Sequence, residues 1–399
     1  MSAAPAPSAA SVASAMTDAA LAWHDTLDAA QRAEGCWAWP GSKAAEIERR
    51  RWYYTPTDHG GLTLHEMHPH QQRAAMRLLA TGLSEPGYVT ASTIMGLENV
   101  LDRTEGFSTG FARDRGRDPG MYYLRVFGEP GGDAPWGWRF GGHHVSVNHL
   151  VVGGEAVAGS PCFLGADPMV SPLLGGRELR PLGAVEDLAR DLVRGLDPDR
   201  RARTVLTPTA PADIIGANRV EVAAGDRLVP LPDLWRGHFD DQALEDRLWA
   251  MHDGLEASLG VTEADREATE ITAEPRGIAG ADLDAGAREQ LRAVLDVFVA
   301  RMPPGLVEAE RTRFAGDRLD AVHIAWAGGL ERGQPHYYRL QGPSLLAEWD
   351  NTQRNVNHAH SVWRSPGRDF GLDLLAEHRA EFRAGPGAHA HQGHDAGQA

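Results

Sequence analysis

W-G-W-R-F-G-G-H-H-V-S-V-N-H-L-V-V, running from Trp136 to Val152, decides the fold class. Its β-branched and aromatic content is too high for a helix. The run predicts one long strand, with Gly141 and Gly142 marking a bulge or a close backbone approach. A turn at Gly153-Gly154-Glu155 then returns into a short strand through Cys162, so a β-hairpin carries His143, His144 and His149. Upstream, Y-L-R-V-F ending at Phe127 alternates and reads as another strand. Far downstream, Leu319–Ala327, His336–Gln341 and Leu345–Trp349 read as strands, and N-V-N-H-A-H-S-V-W-R follows from Asn355 to Arg364.

Helical periodicity fills most of 14–104 and 182–304, the first helix starting at Thr17 as its cap. The chain order is therefore α, β, α, β, with no internal repeat of fixed period. The expected class is α+β. A discontinuous β-sheet or barrel, from about 120–165 and 319–363, would be surrounded by helices in one domain from 14 to 386. The Ala-, Ser- and Pro-rich residues 1–13 read as a disordered lead-in, and 387–399 as a disordered histidine-rich tail.

The 399 residues are 42% hydrophobic and 24% charged, which suits a globular chain with a sizeable core. A net charge of −16 argues against nucleic acid and anionic membrane surfaces as partners. A small-molecule substrate is the expected partner. No run of eighteen apolar residues spans a membrane. The two cysteines, Cys36 and Cys162, exclude a disulfide framework and point to the cytoplasm. Cys162, after Pro161 in a strand, is expected to be buried rather than nucleophilic.

The chemistry lies in the histidines. In a strand, His358 and His360 point to one face, where two imidazoles can grip one transition-metal ion. A regular strand would put His143 with His149 on one face and His144 with Ser146 and Asn148 on the other. Only a bulge would let both His143 and His144 reach one site. The expected ligands are His358, His360 and one or both of His143 and His144. An imidazole-dominated site suits copper, zinc or iron. Glu348 and Asp350 share a strand face just before the pair, as candidate catalytic bases, ligands or acceptors that fix an imidazole tautomer. Arg339, Gln341, Asn148 and Asn357 are candidate substrate contacts, whereas Arg364 is expected to pair with Asp369. His65, His68 and His70 miss the H-E-x-x-H spacing and read as a surface cluster. The tail histidines His389, His391 and His394 can bind metal only weakly.

W-G-W-R-F-G-G-H-H-V-S-V-N, P-C-F-L-G-A-D-P, Y-Y-R-L-Q-G-P-S-L-L-A-E-W-D-N and N-H-A-H-S-V-W-R with D-F-G resemble the family called domain of unknown function 3500, roughly from Trp52 to His378. R-W-Y-Y-T-P and L-S-E-P-G-Y extend the resemblance. It implies that the G-H-H and N-H-x-H elements, here Gly142-His143-His144 and Asn357-His358-Ala359-His360, belong to one scaffold, and it implies no activity. The reading favours a metal-dependent enzyme, an oxidoreductase ahead of a zinc-dependent hydrolase with Glu348 or Asp350 as base. A non-catalytic metal-binding or delivery protein is the alternative. A metal-free protein in which His143 and His358 bind an anion or a sugar is a third.

Overall fold

A computed structural model describes residues 7–384 except 112, 133, 238 and 240. The expected tail and residues 1–6 of the expected lead-in lie outside the described residues. Eight strands form the body of the main sheet: β1 Tyr123–Phe127, β2 Trp136–Gly142, β3 Val145–Val152, β4 Cys162–Ala166, β5 His323–Gly328, β6 His336–Gly342, β7 Leu345–Gln353 and β8 His358–Arg364. Their order is β1-β2-β3-β4-β8-β7-β6-β5, each pair antiparallel. The two β sections thus share one open sheet, not a barrel, and the class is α+β.

Read from either edge, the eight strands follow the same order, although Ala156–Ala158, which pairs with β3, has no counterpart in the other half among the described residues. Cys36–Trp37 lies parallel to β1 at one edge and Val205–Thr207 parallel to β5 at the other. Leu62–Thr63 pairs with β1, and Ile278–Ala279 pairs with β5. Each of these leads through a 3₁₀ turn into a helix, Pro69–Thr81 or Ala285–Val299. Gly61 and Gly277 precede them with φ of +116° and +94°. A Cβ at either would stand 2.6 Å from Leu124 O or 2.1 Å from Ile324 O, so both positions require glycine. The likeness of the halves lies in strand order, and the sequence itself has no repeat of fixed period. Few identities mark the two halves, among them Gly128 and Gly328, Pro135 and Pro335, and Arg139 and Arg339. What the halves share is the pattern of burial, and many apolar sequences satisfy it.

Alternation along the strands sorts the two faces. Cys162, Leu164, Ala347, Trp349, Ala359 and Trp363 join the large core against the helices. On the other face, Phe163 and Val362 pack with Trp52, Tyr54, Ile214, Leu234 and Trp235 from two long irregular segments. His358 and His360 belong to this second face, as their strand parity requires.

Two boundaries differ from expectation. The first helix is Ala9–His24, capped at Ser8 rather than Thr17, nine residues earlier than expected, and it begins inside the stretch read as disordered. Ser8 and Ser11 form its capping box, and Val12, Ala13 and Met16 are buried, so the small residues pack closely and Thr17 is interior. The run Trp136–Val152 is two strands, not one. It reverses at His143–His144, with His144 at φ 64°. The turn is held from outside, because His144 N donates to Tyr54 O and Gly165 N donates to His144 O. None of the described helices is long and apolar enough to cross a membrane.

Candidate metal centre

The reversal at His143–His144 places the tip of the β2–β3 hairpin over the seam between β4 and β8. His144 Nε2 lies 2.8 Å from His358 Nε2 and 3.3 Å from His360 Nε2. Residues 214 and 216 positions apart in sequence therefore meet at one point, and each offers a nitrogen within 4.8 Å of the others. Two imidazoles on a tetrahedral zinc, with Zn–N of 2.0–2.1 Å, would hold their nitrogens about 3.3 Å apart. The donor set fits a transition-metal ion. Gly165 makes the convergence possible: a Cβ there would stand 2.9 Å from His144 Cδ2 and 3.1 Å from His360 Cδ2.

Carboxylates stand behind the imidazoles. His360 Nδ1 lies 2.8 Å from Asp213 Oδ1 and 3.1 Å from Asp350 Oδ1. Tyr54 OH donates to Asp213 Oδ2 at 2.9 Å, and Thr352 Oγ1 donates to Asp350 Oδ2 at 3.1 Å. The Asp213, Asp350 and His360 atoms also cluster closely enough to hold an ion themselves. Their geometry is equally that of acceptors fixing Nδ1–H, so that Nε2 faces the cluster. His358 Nδ1 faces Asp167 Oδ2 at 3.7 Å, beyond hydrogen-bond length.

Electrostatics divide the three rings. Burial, then the neighbouring imidazoles, hold His144 well below the ordinary histidine range. Burial, then His360 and Arg354, do the same to His358. Burial would also lower His360, but Asp213 and Asp350 outweigh it and raise the ring to about 10. Burial raises Asp350 to about 7 against the pull of His360. Without a metal, His360 therefore stays protonated at neutral pH.

His143 stands outside the trio. Its ring stacks on His144 at 3.8 Å between centroids, and its Nδ1 lies 2.5 Å from Glu98 Oε1 and 3.1 Å from Arg117 Nη1. Burial, opposed by Arg117, raises Glu98 to about 8. The hairpin turn explains the split, since two consecutive turn residues point differently and only His144 reaches the seam.

The other sequence candidates fall elsewhere. Glu348 is fully buried and accepts from Ile215 N, Gly216 N and Tyr337 OH at 2.8–2.9 Å, so it fastens a loop and has no route to the cavity as a base. Arg339 donates to Thr269 O and Glu270 O, and Gln341 donates to Thr272 O. Asn148 donates to Ser146 Oγ and Pro161 O. Asn357 exchanges hydrogen bonds with the backbone of Val170. Each of these four expected substrate contacts is tied to backbone carbonyls or amides that strand sequence alone does not reveal, and none of them lines the histidine cavity. Arg364 pairs with Asp369 at 2.8 Å, as expected. His149 is buried, bonded to Gly82 O and stacked on Trp138. His65, His68 and His70 are exposed.

The histidines form part of the wall of a cavity of about 510 Å³. Phe111, Leu231, Leu234, Trp235, Leu248 and Met251 supply much of its apolar surface. Arg117, Arg354 and Glu105 line it too, and both arginines bond Glu105. Sequence reasoning missed Asp213, Glu98 and Arg117, each isolated in a stretch without a spacing motif, and passed over Asp167 and Tyr54 although both stand in stretches singled out above, P-C-F-L-G-A-D-P and R-W-Y-Y-T-P. The signal available was Gly165 in P-C-F-L-G-A-D-P, a glycine inside a strand run.

The sequence pattern of the family described as protein of unknown function (DUF3500) matches residues 9–372, nearly the whole chain, and the chain belongs to that family. No curated protein and no solved structure matches it.

Proposed function

We propose that this chain is a metal-dependent enzyme acting on a small molecule, with His144, His358 and His360 as ligands of one copper, zinc or iron ion. The observation that carries this is the meeting of three imidazole Nε2 atoms at the wall of a large cavity. Three ligands on one side of an ion leave coordination positions for substrate. When bound, the ion would supply either oxygen or electron-transfer chemistry, or an acidified water. Asp213 and Asp350 hold His360 in its ligating tautomer, and the aromatic wall excludes water from an apolar substrate.

The acids lining the cavity are engaged. Asp213 backs His360, Asp167 faces His358 and Arg354, and Glu105 bonds two arginines. The scarcity of a free carboxylate base favours oxidoreductase chemistry over hydrolysis. His143, bonded to Glu98, lines the same cavity, but burial and then Arg117 hold its ring well below the ordinary histidine range, so it is a weak base and adds little to the hydrolase reading. A delivery protein is disfavoured by the walled cavity, which has room for a substrate.

Elemental analysis of untagged protein, beside the variant His358→Ala/His360→Ala, tests the metal. About one equivalent of transition metal is expected in the native chain and none in the variant. Equal, negligible metal in both would end the proposal.

A further inference from the structure

A second cavity, of about 350 Å³, adjoins the first and shares Pro56, Phe111 and Trp235 with it. Its charged lining is Arg113, Arg236 and Asp58, with Tyr123 and Thr57 beside them. Arg113 donates to Thr57 O at 2.6 Å and to Tyr123 OH at 2.9 Å, and among the described residues it pairs with no carboxylate. Arg236 Nη2 bonds Glu48 at 2.8 Å, while its Nη1 is buried without a protein acceptor among the described residues. Behind Arg236 stand Arg125 and Arg139, each with a side chain only 3% exposed. They reach toward the same Glu48 at 3.5 and 3.9 Å. One half-buried carboxylate thus faces four guanidiniums, counting Arg51 at 3.6 Å, and Arg113 adds a fifth cation.

The remaining acids nearby do not balance them. Asp58 lies 3.7 Å from Arg236 and Glu34 lies 3.8 Å from Arg125, but their side chains are 63% and 59% exposed. Such exposed charges are screened by water. Burial, then the Arg125 charge, push Arg139 downward from its usual range, as an excess of positive charge should. Arg139 is satisfied by the backbone carbonyls of Glu48, Arg51 and His59, whereas Arg236 Nη1, in the cavity lining, is a buried donor left without an acceptor among the described residues. Leaving such a charged donor unpaired is costly, and a fork of N–H donors suits a planar or tetrahedral oxyanion. A chain of net charge −16 has no need of such a cluster for solubility.

We propose that this second cavity binds the oxyanion group, a carboxylate or a phosphate, of a small molecule, gripped by Arg113 and Arg236. The shared Phe111 and Trp235 wall lets an apolar body attached to that group extend into the neighbouring cavity. The site stands on the arginine geometry and holds whether or not a metal occupies the histidines.

The test is calorimetric titration of the full chain with inorganic phosphate, benzoate and 3-phenylpropionate. Binding by at least one probe is expected, weakened about tenfold or more in Arg113→Gln and in Arg236→Gln. Asp58→Asn should bind about threefold tighter, because it removes the carboxylate that repels the anion. The variant keeps an oxygen for Gly60 N, which donates to Asp58 Oδ1 at 2.7 Å. A gain of affinity cannot arise from misfolding. The variant His358→Ala/His360→Ala should bind the probes as well as the native chain does. A preference for phosphate identifies a phosphorylated ligand, and a preference for phenylpropionate an acid with an apolar body; either supports the proposal. Undiminished binding in both arginine variants overturns it, as does failure of all three probes. Binding lost only in the histidine variant would put the anion on the metal, overturning this site and leaving the metal reading intact.

Discussion

Metal binding should release about one proton per ion at pH 8. The proton comes from His360, whose Nδ1 faces Asp213 at 2.8 Å and Asp350 at 3.1 Å. These acids raise the ring to about 10 in the metal-free chain, whereas His144 and His358 are held well below the ordinary range. At pH 8 the three rings therefore carry one proton more than three neutral imidazoles, and an ion must displace it. The sign follows: affinity rises with pH while His360 is protonated, and levels off above about pH 10. The slope is about tenfold, or about 1.4 kcal/mol, per pH unit. Between pH 7 and pH 8.5 the gain is then about thirtyfold. Competition against a chelator of known affinity measures the slope, and calorimetry in two buffers of different ionisation enthalpy counts the protons. In Asp213→Asn/Asp350→Asn, burial should return His360 to the neutral form and bring the count near zero. Affinity alone cannot judge that variant. Removing the competing proton would strengthen binding at pH 8 by roughly a hundredfold, while loss of the supporting acceptors weakens it by about 10–100-fold. A proton-neutral titration of the native chain, or unchanged affinity in His360→Ala, would refute the reasoning.

Four further outcomes are expected. His144→Ala should lower metal affinity at least about a hundredfold, whereas His143→Ala should retain the ion within about threefold, read by the same chelator competition. Glu348→Gln should lose about 1–3 kcal/mol of stability in urea unfolding, by disturbing the acceptor of Ile215 N and Gly216 N, and keep its metal stoichiometry. Glu98→Gln should gain stability over the native chain as pH rises. Burial lifts the native acid to about 8, so folding becomes less favourable from about pH 5 up to that value, by at most about 1.4 kcal/mol per pH unit. The difference in Tm between the two chains should vanish near pH 5. Gly165→Ala should cost metal before it costs fold, because its Cβ would press on the His144 and His360 rings.

The sequence revealed strand parity and little about what surrounds the strands. His358 and His360 share a face because side chains alternate, and that much needs only their spacing. The reversal at His143–His144 was hidden, because valines and aromatics on both sides continue one β pattern through it. Its position is set by Tyr54 O and Gly165 N, partners distant along the chain. Polar residues on the strands were misjudged for the same reason. Arg339, Gln341 and Asn148 look available in a sequence, but irregular backbone packed on that face consumes their hydrogen bonds. Asp213 sits in a proline-broken loop, with nothing local to separate it from a solvated acid.

The mirror-like order of the sheet has a bearing on how the molecule could be taken apart. His144 comes from the half ending at β4, and both other ligands come from the half ending at β8. Neither half alone can present more than two of the three nitrogens. Separately expressed fragments, mixed together, would regain chelation only upon docking along the β4–β8 seam, and a bound ion would then act as a rivet between them.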